Sequence, residues 1–170
     1  MESDEALVAD LARGEESALR ELLRRYERPL SHFIFRHTRG QDVEDLYQET
    51  WLRVAKQAVR FDSTKRFSTW LFQIALNLCR DWHRRSVPAG DATAEPVATS
   101  DLARREAAMD AAALLANLPE AQREVVILRY YHDMTEEETA SILDCPKGTV
   151  KSRMHHAMAR LAALVRKEAS

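Results

Sequence analysis

The feature that most limits how this chain can fold is a stretch at its middle, residues 86–100, which reads SVPAGDATAEPVATS. Its two prolines, single glycine and small polar residues lack helical periodicity and are typical of a linker. On both sides Ala, Leu, Arg and Glu dominate, and these residues favour helices. Few β-branched residues alternate with polar ones, so few or no strands are expected. We therefore predict an all-α protein with two small helical domains, residues 1–86 and 102–170, joined by a flexible linker, residues 87–101.

Four helices are predicted in the first domain from the spacing of apolar residues and from the helix breakers between them. They are expected at about residues 4–12, 17–39, 42–59 and 67–85. Gly14 and Gly40 end the first two helices. Pro29 lies inside the second helix and is expected to kink it or to break it in two.

The distribution of charge is more informative than the net charge of −2. Residues 53–86 contain eight basic residues against two acidic ones, and residues 147–167 contain six basic residues and no acidic one. Two basic zones that are separated in sequence indicate two contacts with a polyanion. The alternative is two solvated helix faces, and the charge pattern alone does not decide between the two interpretations.

A helix-turn-helix motif is predicted in the second domain. Thr135 and Glu138 have the spacing of a capping box, which starts a short helix. Pro146 and Gly148 break the chain after that helix without adding a long loop, and a longer helix is expected over about residues 149–167. Two helices joined by such a turn form the helix-turn-helix arrangement of DNA-binding proteins.

The longer helix of this motif has an apolar and a polar side when it is divided by its 100° step. The apolar side, which we expect to be core, consists of Val150, Met154, Ala157 and Leu161. The polar side lies near the N-terminus of the helix, where recognition helices contact base edges and phosphates. An ordinary amphipathic helix is the alternative, but the absence of acidic residues favours DNA. The predicted DNA-contacting residues are Thr149, Lys151, Ser152, Arg153, His155, His156 and Arg160.

The third helix of the first domain carries a stripe suited to binding a protein. Its predicted core side consists of Val43, Leu46, Tyr47, Thr50 and Val54. The opposite side places one apolar residue, Leu52, among polar and acidic side chains, and an apolar anchor ringed by polar groups is typical of a protein interface. Single exposed leucines are nevertheless common, so this signal is weak by itself. The candidate residues are Asp42, Asp45, Gln48, Glu49 and Leu52.

The fourth helix combines a core side with an outward stripe suited to single-stranded nucleic acid. The predicted core side is Phe67, Leu71, Ile74, Leu78 and Trp82. The stripe is Thr69, Gln73, Asn77, Arg80 and Arg84, with Trp70 at its margin. Bases can stack on an aromatic ring while cations meet the backbone, and a polar loop, residues 61–65, can form a pocket for an unstacked base beside the helix. Whether Trp70 is part of this surface or a core residue is open.

Several other classes of function are not supported by the sequence. Cys79 and Cys145 do not suggest a disulfide framework, and Cys79 with His83 provides too few ligands for a structural zinc site. We find no nucleophile–base pair and no phosphate-binding glycine loop, so neither a cofactor nor an enzymatic activity is predicted. Residues 1–11 are acidic without an apolar signal region, and no apolar run is long enough to span a membrane, so a cytoplasmic protein is expected.

Four segments together resemble the extracytoplasmic-function sigma factors of bacteria. Residues 42–51, DVEDLYQETW, are similar to the family's polymerase-binding helix D-x-E-D-L-x-Q-E-x-F, and residues 67–77, FSTWLFQIALN, to its F-x-T-W-L-x-x-I-A-x-N segment. Residues 118–125 are similar to L-P-x-x-x-R-E-V, and residues 148–153 to G-T-V-x-S-R. The four matches come in the family's order and span nearly the whole chain apart from the linker.

The resemblance implies a transcription initiation factor with three contact surfaces. Asp42, Asp45, Gln48, Glu49 and Leu52 would dock on the clamp helices of the largest subunit of core RNA polymerase. Promoter DNA would be contacted at its melted minus-ten element by Phe61, Asp62, Ser63, Thr64 and Lys65 with Asn77 and Arg80, and beside them by Trp70, Gln73 and Arg84. The helix-turn-helix residues would contact the minus-thirty-five element. An anti-sigma protein is a further implied partner, because members of this group are usually held inactive by one.

One segment departs from the family pattern. Where the family often has an aromatic or basic residue followed by Arg-Ala, this chain has Met154-His155-His156-Ala157. Because histidine changes charge near neutral pH, DNA affinity could depend on pH, which we state as a hypothesis. Two other functions stay open on the sequence: a helix-turn-helix regulator that does not bind core polymerase as a sigma factor, and a helical adaptor without promoter binding.

Overall fold

The computed structural model describes residues 1–86 and 111–169, and the regular secondary structure in both ranges is helical. The chain divides by its contacts into two compact units, Met1–Asp91 and Ala92–Ser170. The all-α class and the two-domain organisation are therefore confirmed. The linker predicted at residues 87–101 lies outside the described residues.

Within the described residues 1–86, the first unit contains four α-helices with bounds close to those predicted. They are α1 (Asp4–Ala12), α2 (Glu16–Thr38), α3 (Val43–Gln57), followed by a 3₁₀ turn (Ala58–Arg60), and α4 (Phe67–Ser86). Pro29 does not break α2, which is a single helix of 23 residues. The turn after α2 uses two left-handed residues, Arg39 with φ 55° and Gly40 with φ 80°.

The core of the first unit lies where α4 packs against α2 and α3. Four of the five residues predicted for the core side of α4 are buried, namely Phe67, Leu71, Ile74 and Leu78. Phe72, Leu76 and Cys79 are buried as well, because α4 contacts three other helices and a single apolar stripe does not cover all these contacts.

The prediction that Trp82 is a core residue is wrong. Trp82 is only half-buried in the last turns of α4, and its indole N–H donates to the carboxylate of Asp42 at 2.7 Å. An indole at the edge of a unit keeps its N–H hydrogen-bonded while it covers part of the core. The apolar spacing of α4 therefore continues one turn beyond the place where the core ends.

The second unit contains the predicted helix-turn-helix. Residues 111–116 are helical and precede α5 (Glu120–Val126), which continues as a π-helical turn (Ile127–Tyr131). Helices α6 (Glu136–Leu143) and α7 (Lys147–Glu168) follow. The Thr135–Glu138 capping box is present in both directions, with hydrogen bonds of 3.1 and 2.8 Å. Helices α5 and α6 pack against α7, whose Val150 and Ala157 are buried between them.

The turn between α6 and α7 differs in detail from the prediction. Helix α7 begins at Lys147 after Pro146, so Gly148 lies inside its first turn and does not break the helix. The left-handed residue of this turn is Asp144, with φ 50°. Met154 and Leu161 are half-buried, not fully buried as expected.

Candidate nucleic-acid and protein interfaces

The loop between the 3₁₀ turn and α4 is held by hydrogen bonds around Asp62. The Asp62 carboxylate accepts from the hydroxyl of Thr64 at 2.7 Å and from its backbone N–H at 3.0 Å, and the Lys65 N–H donates to the Asp62 carbonyl at 3.0 Å. The hydrogen bond from the Thr64 hydroxyl holds the pKa of Asp62 below its usual range, and the bond from the Thr64 backbone N–H adds to this effect. The loop is thus a compact turn with a negative Asp62 at its centre, and Ser63, Thr64 and Lys65 are exposed on it.

Three aromatic rings join this loop to α4. The ring centroids of Phe61 and Trp70 are 5.0 Å apart, and each lies about 6 Å from the ring of Phe67, at 6.2 and 6.1 Å. Phe67 is completely buried, whereas Phe61 and Trp70 are half-buried. Trp70 is therefore an edge residue with part of its ring accessible beside the loop, which answers the question that its sequence position left open.

The remaining residues of the outward stripe continue along α4 away from the loop. Gln73 and Arg80 are half-buried, and Asn77 and Arg84 are exposed. Arg84 forms an ion pair with Asp81, so part of its positive charge is neutralised within the helix. With a rise of about 1.5 Å per residue, Asn77 lies about 15 Å along the helix from Phe67. The stripe and the loop therefore form an extended surface and not one small pocket.

A cavity of about 410 Å³ lies beside the loop. Its lining residues are Asp4, Glu5, Tyr26, Ser63, Thr64, Lys65, Arg66 and Ser68. The loop side was predicted from the sequence, but the side formed by α1 and α2 was not. Asp4 and Glu5 stand about 60 positions before the loop, and the only sequence signal for their proximity is that an acidic turn could face the basic Lys65 and Arg66.

Helix α1 is fixed against α2 by polar and apolar contacts. Arg25 donates to the Asp4 carboxylate at 2.7 Å, and the hydroxyl of Tyr26 donates to the other oxygen of the same carboxylate. Burial is the main reason that the pKa of Tyr26 lies well above its usual range, and the hydrogen bond with Asp4 raises this pKa further. The phenol therefore stays protonated as a donor. Leu7 and Val8 are buried beneath α1. The cavity side formed by α1 is accordingly well anchored.

The candidate protein-binding stripe of α3 is accessible around Leu52. Leu52 is 53% exposed, and Asp45 and Gln48 are also exposed. Glu49 is half-buried and pairs with Arg53 at 3.0 Å. An exposed leucine on a structured helix, with polar neighbours on both sides, has the composition of an interface anchor.

Asp42 differs from the other residues of this stripe because its carboxylate is hydrogen-bonded to another helix. Its carboxylate accepts the indole N–H of Trp82, and its backbone is left-handed, with φ 50°, at the start of α3. The structure therefore places Asp45, Gln48, Glu49 and Leu52 on one accessible stripe of α3, whereas Asp42 links this helix to α4.

In the second unit, the predicted DNA-contacting residues lie along one side of α7. Lys151, Ser152, His155, His156 and Arg160 are exposed, and Thr149 and Arg153 are half-buried at the margin. The rings of His155 and His156 lie 5.8 Å apart. This arrangement provides a row of hydrogen-bonding side chains at the N-terminal half of the helix, as direct contact with bases in a major groove requires.

Two acidic residues of α6 lie beside this surface, and the sequence did not predict this proximity. Glu137 forms an ion pair with Lys147, and Glu136 lies 3.6 Å from the Lys151 ammonium. The hydrogen bond from Lys147 lowers the pKa of Glu137. Residues 147–167 contain no acid, but the fold brings acids from the preceding helix to two of their lysines.

Neither a metal site nor a membrane-spanning helix is indicated in residues 1–86 and 111–169. No group of three or more His, Cys, Asp or Glu side chains in these ranges could hold a metal ion. Cys79 is buried and is not part of a disulfide in the described residues, in agreement with its interpretation as a small apolar residue. None of the helices described is both long and apolar enough to cross a membrane.

Family models of the sigma-70 proteins match parts of both units. The family model of sigma-70 region 2 matches residues 22–87, and that of sigma-70 region 4 matches residues 108–161. The chain is 27% identical to the ECF RNA polymerase sigma-E factor of Haemophilus influenzae, with 91% of each chain covered. It is 28% identical to the protein of that name in Escherichia coli K12, with 91% of this chain and 90% of the relative covered.

Solved structures agree with these sequence matches. The chain resembles CnrH, which was solved in complex with the cytosolic domain of CnrY, with a TM-score of 0.79 and 28% identity over 98% of this chain and 99% of the other. It also resembles RpoE of Bartonella quintana, which was solved with the anti-sigma factor NepR, with a TM-score of 0.74 and 25% identity over 86% of this chain and 96% of that one.

Proposed function

The chain belongs to the extracytoplasmic-function group of the sigma-70 family, and from this membership we infer which surface carries each step of transcription initiation. It is an initiation factor that binds core RNA polymerase and directs it to promoters. We assign polymerase binding and the minus-ten element to the first domain, residues 1–86, and the minus-thirty-five element to the second, residues 102–170.

The minus-ten element is assigned to the 61–66 loop and the outward stripe of α4. The half-buried rings of Phe61 and Trp70 offer stacking surface for an unstacked base. Exposed polar groups of the loop and the Asn77 amide supply donors and acceptors for base edges. Lys65, Arg80 and Arg84 supply positive charge for the backbone of the melted strand, and Asp62 keeps the loop compact.

The minus-thirty-five element is assigned to the exposed side of α7. Lys151, Ser152, His155 and His156 would contact base edges or phosphates in the major groove. Arg153 and Arg160 flank them and would hold the phosphate backbone, which makes this contact sensitive to salt. The two DNA contacts reinforce one another because polymerase carries both domains to one promoter and raises their effective concentration.

Core polymerase is assigned to the stripe of α3 around Leu52. The exposed side chains of Asp45, Gln48 and Leu52 with Glu49 would contact the clamp helices of the largest subunit. Asp42 contributes to this surface through the orientation of α3, since its carboxylate already accepts from Trp82. Leu52 would act as the anchor, because it is the residue of the stripe whose burial removes apolar surface from water.

Regulation by an anti-sigma protein completes the assignment. RpoE, which this chain resembles, was solved with the anti-sigma factor NepR, and CnrH was solved with the cytosolic domain of CnrY. We propose that this chain is likewise held inactive by an anti-sigma factor and acts in the cytoplasm, where its polymerase and promoters are. We propose no catalytic step for it.

The observation that carries this assignment is the presence in one chain of an accessible Leu52 stripe and a helix-turn-helix unit. A helix-turn-helix regulator would account for the second unit and leave the first unexplained. The test is run-off transcription from a genomic promoter library with core polymerase, with and without the protein. New defined start sites that depend on the protein are expected, whereas a regulator of the other type would give none and would fail to capture core polymerase.

The test becomes specific with two matched variants. Leu52→Glu places a charge at the proposed anchor, and Val59→Glu places the same charge at another exposed apolar residue, which is 71% exposed in the 3₁₀ turn. Both substitutions are at the surface and leave the core intact. We expect Leu52→Glu to abolish capture of core polymerase and run-off transcription, and Val59→Glu to retain the capture of core polymerase.

A further inference from the structure

The start of α4 is capped by a residue from the other end of the unit. The Glu5 carboxylate of α1 accepts the backbone N–H of Phe67, the first residue of α4, at 2.9 Å. The first N–H groups of a helix have no partner within the helix and are usually satisfied by a side chain just before it. Here the acceptor stands 62 positions earlier in the chain. The cap therefore ties α1 to the beginning of α4.

Glu5 lies in the first turn of α1, which is hydrogen-bonded to α2. Asp4, the preceding residue, accepts from Arg25 and Tyr26 of α2, and Arg25 also donates to the backbone carbonyl of Glu2 at 2.9 Å. The Ser3 hydroxyl caps α1 itself by accepting from the Ala6 N–H. Asp4 and the Ala6 N–H, on either side of Glu5, are thus both hydrogen-bonded, so the Glu5 carboxylate meets the Phe67 N–H from an anchored turn of α1.

The capped residue lies at the centre of the aromatic group beside the loop. Phe67 is completely buried, and its ring lies about 6 Å from those of Phe61 and Trp70. A shift of its backbone would displace both half-buried rings and the loop residues that enclose the cavity between α1 and α4. Glu5 is itself a lining residue of that cavity.

We propose that Glu5 is a positioning residue for the minus-ten element: by accepting from the Phe67 N–H it fixes the 61–66 loop and the Phe61–Trp70 rings in the arrangement that discriminates one sequence from another. The proposal rests on the assignment of this surface to the minus-ten element. It goes further because it makes α1, which no sequence motif connects with DNA, a determinant of promoter choice.

The experiment uses holoenzyme reconstituted from the full chain and core polymerase. Binding is measured to a single-stranded oligonucleotide that carries the preferred minus-ten sequence and to one with a single base changed. The ratio of the two affinities is compared among wild type, Glu5→Ala, Glu5→Gln and Glu5→Asp. Asp10→Ala is the matched control, because Asp10 lies on the same helix and pairs only locally with Arg13 among the contacts described.

Glu5→Ala removes the acceptor, and Glu5→Asp keeps the charge but withdraws the carboxylate by one methylene. We expect both to reduce the ratio, by about fivefold if the full stabilisation that one helix cap provides is lost from the discriminating arrangement. Glu5→Gln keeps an oxygen at the same distance and should retain the ratio, as should Asp10→Ala. Affinity for core polymerase and for a minus-thirty-five duplex should stay the same in all four variants.

Three results would overturn the proposal. Glu5→Asp with a wild-type ratio would show that the hydrogen bond does not control discrimination. An equal reduction of the affinity ratio in Glu5→Gln and in Glu5→Ala would show that the negative charge of Glu5, and not its hydrogen bond, is responsible. An equal loss of affinity for the minus-ten oligonucleotides, for core polymerase and for the minus-thirty-five duplex would assign Glu5 a purely structural role. If wild-type holoenzyme bound both oligonucleotides equally, the assignment of this surface to the minus-ten element would itself fail, which is a distinct outcome.

Discussion

The indole N–H of Trp82 donates to the carboxylate of Asp42 at 2.7 Å, and this hydrogen bond joins the last turns of α4 to the start of α3. Asp42 stands at the position before α3 where a carboxylate usually caps its own helix, but its left-handed backbone, with φ 50°, is not that of such a cap. Its side chain serves α4 instead. The orientation of the polymerase-binding helix is therefore linked to that of the helix assigned to the minus-ten element.

Replacing Trp82 by Phe should lower the free energy of unfolding by about 1 kcal/mol, because it removes a hydrogen bond to a charged group near the surface while it keeps most of the apolar area. Urea denaturation of the full chain measures this effect. Asp42→Asn should be milder, since the amide oxygen still accepts. If Asp42→Ala reduced affinity for core polymerase without a loss of stability, Asp42 would be a direct contact and not an orienting residue.

The helices of this protein were predictable because their signals are local. Apolar spacing, Gly14, Gly40 and the Thr135–Glu138 capping box fixed the elements to within a few residues. The errors arose where tertiary contacts decide. Trp82 continues the apolar spacing of α4 past the end of the core, and Gly148 resembles a helix breaker although a helix accommodates it in its first turn.

The candidate surfaces were predictable in part for the same reason. Leu52 and the polar side of α7 are exposed as the helical period requires. The contacts of Glu5 with Phe67 and of Glu137 with Lys147 join different helices, so no periodicity within one element reveals them. Prediction from one sequence therefore identifies which side of a helix is accessible, but not which residue of another helix supports it.

Asn77→Ala should impair promoter opening more than duplex binding. Asn77 is exposed on α4, and its amide can pair with the edge of an unstacked base, which is worth about 1–3 kcal/mol. We expect the open complex to form roughly tenfold more slowly, as measured by the permanganate reactivity of the melted strand. Affinity for a minus-thirty-five duplex should be unchanged. Gln57→Ala, which removes another exposed amide at the end of α3, is the control. Unchanged opening in Asn77→Ala would remove this residue from the surface.

Gly148→Ala should separate stability from DNA binding. A methyl group at Gly148 meets no atom within 4 Å, and alanine favours a helix over glycine, so the free energy of unfolding should rise by about 0.5 kcal/mol. On a bound promoter the same methyl group would face the DNA backbone, so affinity for the minus-thirty-five duplex should fall. Gly14→Ala is the contrasting variant, because φ there is +94° and alanine should destabilise the chain by about 1 kcal/mol.

A parallel rise of stability and affinity in Gly148→Ala would contradict this placement of DNA at the start of α7. The two quantities are measured on the same preparation, by urea denaturation and by fluorescence anisotropy with a labelled duplex. Gly14→Ala should leave affinity per folded molecule unchanged, since Gly14 lies in the first unit.

The ion pair between Glu137 and Lys147 should make the helix-turn-helix unit sensitive to acid. The pKa of Glu137 is lowered from the usual value of 4.5, chiefly by the hydrogen bond from Lys147. Because the folded pKa lies below the unfolded one, the pair stabilises the fold above about pH 4.5, and this contribution is lost as the pH falls through the lower folded value. The difference in stability between wild type and Glu137→Gln should therefore shrink progressively below about pH 4.5.

The same pair should weaken DNA binding in the wild-type protein, because a phosphate must displace Glu137 before it can pair with Lys147. Glu137→Gln frees the lysine, so affinity for the minus-thirty-five duplex at low salt should rise, and the slope of log affinity against log salt should steepen by about one unit. Glu138→Gln is the matched control: it removes the same charge from the same turn of α6 while glutamine preserves the capping box. Equal effects of the two substitutions would mean that DNA responds to the total charge of the turn, and that the contact between Glu137 and Lys147 has no specific part in promoter affinity.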